Sequence, residues 1–169
     1  NVSFGDRSQF PEIFQLKTSK DERKRIEDLI AKHSNKSIPD SKNVVLHTTH
    51  TARIPKGKTP PHEWWSELIS MFPQHRFFQV GTNNRMSDNV CADFDFSGRT
   101  TNLINQKSQL NLREVAYLIE KTDFHISVDS IVSHLSLSAG PKKGMVIFGS
   151  SDSKLATHEH NYNVSSNRP

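Results

Sequence analysis

The stretch FHISVDSIVSHLSLSAG, Phe124 to Gly140, changes its period in the middle. Phe124, Ile126 and Val128 alternate with other residues, the period of two expected of a strand. From Ile131 the apolar residues Ile131, Val132 and Leu135 fall at helical spacing, and Gly140 supplies a stop. A strand that hands over directly to a helix is half of a strand-helix-strand unit. The seam carries a carboxylate and a hydroxyl, Asp129 and Ser130, with His134 one helical turn further on.

The same alternation of elements extends to both sides. NVVLHT from Asn43 reads as a short apolar strand, PPHEWWSELISMF as a helix with proline in its first turn, and HRFFQVG as a strand closed by Gly81. DFDFSG, residues 93–98, is expected to be a short strand, and NLREVAYLIEKT a helix capped by Asn111. GMVIFGS forms the last expected strand, closed by Gly149. Strands separated by helices of this length predict an α/β fold: a Rossmann-like parallel sheet with helices on both faces. Before it, Thr18 to Lys32 reads as an amphipathic helix begun by Thr18 or Ser19, and HSNKSIPDSKN as a linker. The organisation expected is an N-terminal helical segment over 1–42, the sheet domain over 43–155, and a flexible tail without core residues over 156–169.

Composition narrows the function classes. The 169 residues suffice for one α/β domain with a real core. Basic residues exceed acidic ones by 22 to 18, but the two are interleaved, as in KTSKDERKRIEDLIAK, so that run reads as a solvated helix face and not as a nucleic-acid arm. Cys91 is the single cysteine, which excludes an internal disulfide and a cysteine-built zinc cluster and favours a reducing, cytoplasmic setting. Apolar runs fall well short of the roughly 20 residues that span a bilayer, and the opening residues lack the apolar core of a signal peptide. Nine histidines invite a metal, yet the close pairs His47/His50 and His158/His160 have no carboxylate in a ligand spacing, so no metal is expected. Dinucleotide, P-loop and serine-hydrolase signatures are missing from the sequence.

In a parallel sheet, ligands sit beyond the carboxyl ends of the strands. Four of the expected strand ends are rich in polar residues: HTTHTARIPKGK, GTNNRMSDN, DS with His134, and GSSDS. Hydroxyls, backbone amides and the lysines Lys56 and Lys58 are suited to holding a diphosphate. If Asp129 or Ser130 caps its helix, the N–H groups of the first turn open towards an anion, with His134 on the side of Ser130. The plainer alternatives stay open: Asp129 as an N-cap with His134 a half-buried helix residue, and the threonine-rich segment as a surface loop. Trp64 and Trp65 read as core anchors.

The segments VVLHTT…KTPPHEWWSEL, RFFQVG, DFSGRTTNL, NLREVAYLIEKTDFHISVDSIVSHLSLSAG and GMVIFGSSDS, from Asn43 to Ser153, together resemble the C-terminal, nucleotide-sugar-binding half of heptosyltransferase-like glycosyltransferases. These form glycosyltransferase family 9, of GT-B fold. The resemblance implies that Thr48 and Thr49 border the donor diphosphate and that Lys58 contacts phosphate. It implies further that Asp129 meets the donor sugar or holds its loop, that Ser130 and the amides beside it hold phosphate, and that His134 supports or touches the same group. Two positions depart from the family pattern. Ile131 stands where a glycine is common, and Asn83 and Asn84 stand where an acidic residue would help hold the nucleoside.

The function this implies is donor binding in a glycosyltransferase that acts on a cell-surface glycan or lipopolysaccharide-type precursor. Its partners would be a nucleotide-diphosphate sugar and, through an N-terminal domain or a partner that supplies the catalytic base, a glycan acceptor. No cofactor, metal or nucleic acid is implied. The location expected is cytoplasmic, at most peripheral to the inner membrane face. The alternative is a GT-B-like binding or regulatory module without turnover.

Overall fold

The computed structural model of the chain describes residues 16–34, 37–49, 59–82, 96, 101–138, 144–149 and 161–165. Its first helix, α1 (Lys20–His33), starts where the sequence places a cap: Ser19 Oγ accepts from the Glu22 N–H, and the Glu22 carboxylate accepts from the Ser19 N–H at 2.7 Å. This reciprocal pair satisfies two of the N–H groups that a helix start leaves open. α3 (Leu112–Lys121) begins with the same device, built from Asn111 and Glu114.

Between and after these helices lie β1 (Asn43–His47), α2 (His62–Met71), β2 (Arg76–Gln79), β3 (Leu103–Asn105), β4 (Phe124–Val128), α4 (Ile131–Ser138), β5 (Gly144–Phe148) and β6 (Asn161–Ser165). The strands form one sheet in the order β3-β2-β1-β4-β5-β6, with every neighbouring pair parallel. The chain therefore runs outward from β1 in one direction, returns, and continues outward from β4 in the other. The fold is α/β and Rossmann-like.

Alternation along the strands divides the core in two. Val44, Leu46, Phe77, Ile126 and Val128 point to one face, where Trp65 and Ile69 of α2 and the side chain of Phe96 cover them. Val45, Phe78 and Val80 point to the other, under α3 and α4, with Ile26 of α1 completing the cluster. Burial of this kind stabilises by roughly 25 cal/mol per Å² of apolar surface and dominates folding. α1 is further tied to α3 by polar contacts: Arg25 Nη1 to Glu114 Oε1 at 2.9 Å, Arg113 Nη2 to Glu22 Oε1 at 2.8 Å, and Tyr117 Oη to Glu27 Oε1 at 2.6 Å.

α4 contains three serines, Ser133, Ser136 and Ser138, in eight residues, and a fourth, Ser130, caps it. Ser133 and Ser136 are buried, and their hydroxyls donate to the carbonyls of Ser130 and Ser133, so neither group is left unsatisfied in the interior. A tight fit joins β4 to β5. His125 is fully buried opposite Gly144, and a Cβ added to that glycine would land on the imidazole ring.

Three expectations change. Phe96 of DFDFSG is buried but lies outside any strand, and the strand beside β2 is Leu103–Asn105 instead. The aromatic at 96 fills the core without belonging to a strand, while the true strand has three half-buried residues and no alternation to read. The expected tail contributes an edge strand: Asn161–Ser165 pairs with β5 although only Asn161 is buried, because backbone pairing to an exposed edge needs no core side chains. Trp65 is a core anchor, but Trp64 stands 40% exposed with its ring edge-on to Trp65.

Candidate functional site

Strand order reverses between β1 and β4, and in a parallel sheet the carboxyl edge at such a reversal is where ligands bind. His47 is the last residue of β1, and Ser130 follows β4 by two residues. Their side chains meet at this edge, with Ser130 Oγ 3.0 Å from His47 Nδ1. The serine is also the cap of α4. Its Oγ accepts from the Val132 N–H at 3.3 Å, and its carbonyl accepts from the Ser133 N–H at 3.1 Å. The N–H of Asp129 donates to the Ile147 carbonyl at 3.1 Å, which extends the β4–β5 pairing and fixes the backbone just before the cap.

His47 and Ser130 line a cleft of about 330 Å³. Gly81 and Thr82 border it from the end of β2, and Leu112, Val115, Val132 and Leu135 give it an apolar wall from α3 and α4. Gly81 has φ 135°, a backbone angle that favours glycine, and its carbonyl accepts from the Ser108 N–H at 2.8 Å, joining the end of β2 to the segment after β3. Polar groups thus gather at the sheet end of the cleft and apolar ones beside the helices. Such a site can hold a ligand with an anionic part on the α4 N-terminus and an apolar part against the leucines.

A larger groove, about 560 Å³, lies towards the opposite ends of the strands, among Leu68, Phe72, Phe124, Ile126 and Met145 with Lys42, His75 and Asp123. Size alone would favour it. Its walls are mostly apolar, however, and it lies away from the carboxyl edge at the strand reversal, so the smaller cleft is the stronger candidate.

The structure brings some of the expected residues to this edge and not others into contact. Ser130 lines the cleft and Asp129 is half-buried beside it. Thr48 and Thr49 follow His47 and are buried, with Thr48 Oγ1 accepting from Gln79 Nε2 at 3.4 Å. His134 is on the exposed side of α4 and is not among the residues lining the cleft. Ile131, the departure from the family pattern, sits at the cleft with its side chain 53% exposed. Lys58, Asn83 and Asn84 lie outside the described residues, as do Lys56 and His50.

Sequence reading passed over His47 as the partner of Ser130, treating it only as half of a histidine pair. The one signal available was its position as the last residue of an apolar strand, at the carboxyl edge of the sheet. Among the described residues, no group of three or more histidine, cysteine, aspartate or glutamate side chains comes together as a metal site. No described helix is long and apolar enough to cross a membrane.

With this geometry in place, comparison with known proteins adds the family. The profile of glycosyltransferase family 9 (heptosyltransferase) matches residues 8–168. Among solved structures, a family 9 glycosyl transferase from Veillonella parvula DSM 2008 superposes with a TM-score of 0.69 at 14% identity, over 92% of this chain and 43% of its own. The E. coli ADP-heptose LPS heptosyltransferase II superposes with a TM-score of 0.60 at 14% identity, over 89% of this chain and 44% of its own. At that identity the likeness shows the fold, and this chain spans less than half the length of either protein. No curated protein sequence matches the chain.

Proposed function

Because the chain belongs to glycosyltransferase family 9, we propose that the cleft at the ends of β1 and β4 binds the diphosphate of a nucleotide-sugar donor, as the C-terminal half of a GT-B enzyme. The observation that carries this reading is the hydrogen bond between the α4 cap and the end of β1. Ser130 is held at the point of strand reversal, at the amino end of a helix, in a cleft with an apolar wall.

In glycosyl transfer an acceptor hydroxyl attacks the anomeric carbon, the bond from that carbon to the diphosphate oxygen breaks, and the nucleoside diphosphate leaves with its electron pair. Negative charge therefore grows on the diphosphate in the transition state. Fixed donors aimed at it accelerate the step, because they need no reorganisation as charge develops. Here those donors are the Ser130 hydroxyl, the N–H groups opening α4, and Lys58, whose ammonium would answer the same charge without a metal. Thr48, Thr49 and Asp129 border the donor, His134 supports the helix that carries the cap, and Asn83 and Asn84 approach the nucleoside. The acceptor is a cell-surface glycan or lipopolysaccharide-type precursor, met in the cytoplasm. In this reading the base that takes its proton comes from outside these 169 residues.

Calorimetric titration with ADP, UDP, GDP and CDP tests the proposal. Saturable binding of one of them, weakened about ten- to a hundredfold in Ser130→Ala and in Lys58→Ala, is the expected result, the loss of one hydrogen bond to a charged group. A folded sample that binds none of the four would favour the module without turnover, for which the exposed Ile131 at the cleft is the supporting observation.

A further inference from the structure

We infer that His47 is a positioning residue that sets the direction of the Ser130 hydroxyl, so that anion binding at Ser130 is coupled to uptake of one proton by His47. The inference rests on the donor-binding reading above and concerns a residue to which that reading gives no role.

The argument is a count of donors and lone pairs. A serine hydroxyl has one O–H and two lone pairs. At Ser130 one lone pair already accepts the Val132 N–H. The contact at 3.0 Å to His47 Nδ1 can run in either direction, depending on where the imidazole carries its proton. With Nδ1 bare, the serine donates to it, and its single O–H is consumed within the protein. An anion arriving at Ser130 then meets a lone pair. With Nδ1 protonated, the imidazole donates to the second lone pair of Ser130, and the serine O–H turns free to donate to the anion. Every group is satisfied in the second arrangement, and only in that one is the serine a donor to the ligand.

Charge selects how Nδ1 gains its proton. A diphosphate beside the pair favours the imidazolium over a neutral ring with its proton moved from the other nitrogen, because an opposite charge within a few ångströms stabilises the charged form. His47 is 6% exposed, so solvent screens this attraction little. Among the described residues the titratable groups on the elements around it are few, and Lys58, which the reading above sets at the same diphosphate, opposes the imidazolium there. Asp129 follows β4 and His134 is on α4, Asp129 favouring and His134, when charged, opposing the imidazolium. His125 lies further back along β4, buried against Gly144. On α3, Glu114 is committed to Arg25 and to the Asn111 N–H. From β2, α3 and the turn before it, the residues sharing the cleft with His47 are Val80, Gly81, Thr82, Leu110, Leu112 and Val115, and none of these titrates.

The sign follows from linkage. The complex holds one proton more than the free protein, so affinity is highest below the pKa of free His47 and falls as pH rises above it, by up to about tenfold per pH unit. A nucleotide sugar is the right probe, because its diphosphate is a diester with no ionisation near neutrality, whereas a free nucleoside diphosphate titrates in the same range.

The experiment is calorimetry of the full chain with ADP-glucose, UDP-glucose and GDP-mannose between about pH 6 and pH 8.5, on the native sequence, His47→Asn and His47→Leu. Asparagine places an amide donor near the position of Nδ1 and cannot titrate; leucine places nothing. The expected result is a Kd that rises with pH for the native protein, a Kd independent of pH for His47→Asn, and weaker binding than His47→Asn at all pH values for His47→Leu. A native Kd without pH dependence, or the same slope in His47→Asn, overturns the coupling while leaving donor binding intact. Absence of binding by all three sugars at every pH overturns the donor-binding reading and this inference with it. Nitrogen-15 shifts of His47 in the native protein give a check that needs no substitution: a neutral ring protonated at Nε2 when free, and an imidazolium when bound. A bound ring that remains neutral contradicts the inference.

Discussion

Replacing Gly144 by alanine tests how closely β4 and β5 are fitted. The added methyl would fall on the His125 imidazole, nearer than atoms approach one another in proteins, and His125 is fully buried. The two residues are direct partners in the parallel ladder, so neither strand can shift without disturbing hydrogen bonds along the pair. Overpacking a tight core costs about 1–3 kcal/mol, and the lack of room to move the ring places this case near 3. For a domain of this size that is roughly 6–12 °C in Tm. Truncating the ring in His125→Ala leaves a cavity and costs about 2–4 kcal/mol by itself. The double variant relieves the clash with the cavity, so it should be more stable than the sum of the single losses by about 1–3 kcal/mol, the coupling expected of residues in contact. Urea unfolding of the four proteins measures this. A Gly144→Ala midpoint unchanged from the native protein, or strictly additive losses in the double variant, would refute the reasoning.

Substitutions at three further positions probe the frame. Asn111→Ala removes the α3 cap and the contact from Asn111 Nδ2 to Glu22 at 3.0 Å, and should cost about 1–2 kcal/mol in urea unfolding, with Asn111→Ser recovering most of it. The Arg113 side chain, then the Ser19 N–H and Asn111, hold the Glu22 carboxyl at about 2, below its ordinary 4.5; the unfolded chain therefore takes the proton first, and this stabilisation, complete above 4.5, is lost as pH falls towards about 2. Unfolding midpoints compared between about pH 6 and pH 3 should fall less steeply in Arg113→Ala than in the native protein. Gly81→Ala forces a side chain into φ 135° at the edge of the cleft and should lower stability by about 1–3 kcal/mol, read as a drop in the thermal midpoint.

Much of the architecture could be read because its signals are local. Ser19 and Asn111 each stand three residues before a glutamate, and both form the reciprocal cap that this spacing allows. The strands at Asn43, Arg76, Phe124 and Gly144 are apolar runs closed by polar or glycine residues, and each is in the sheet. What escaped reading depends on partners far along the chain. β3 has half-buried residues only, and β6 exposes Tyr162 and Val164, so neither carries a core pattern; both are strands because a neighbour offers its edge. Phe96 misled for the opposite reason, since in sequence an aromatic buried outside a strand resembles one buried within it. At the site, the cap role of Ser130 was legible from its place between strand and helix. Its bond to His47 spans 83 residues and exists only because β1 and β4 become neighbours.

The most direct test of the central claim is an amide NMR titration with a nucleotide-diphosphate sugar, which reports where the ligand sits without any substitution. The account predicts the largest shifts at the amides of Ser130, Ile131 and Val132 and at the end of β1, the wall of the cleft at the strand reversal. Shifts centred on Lys42, His75 and Asp123, with the α4 amides unmoved, would place the ligand in the opposite groove and contradict it.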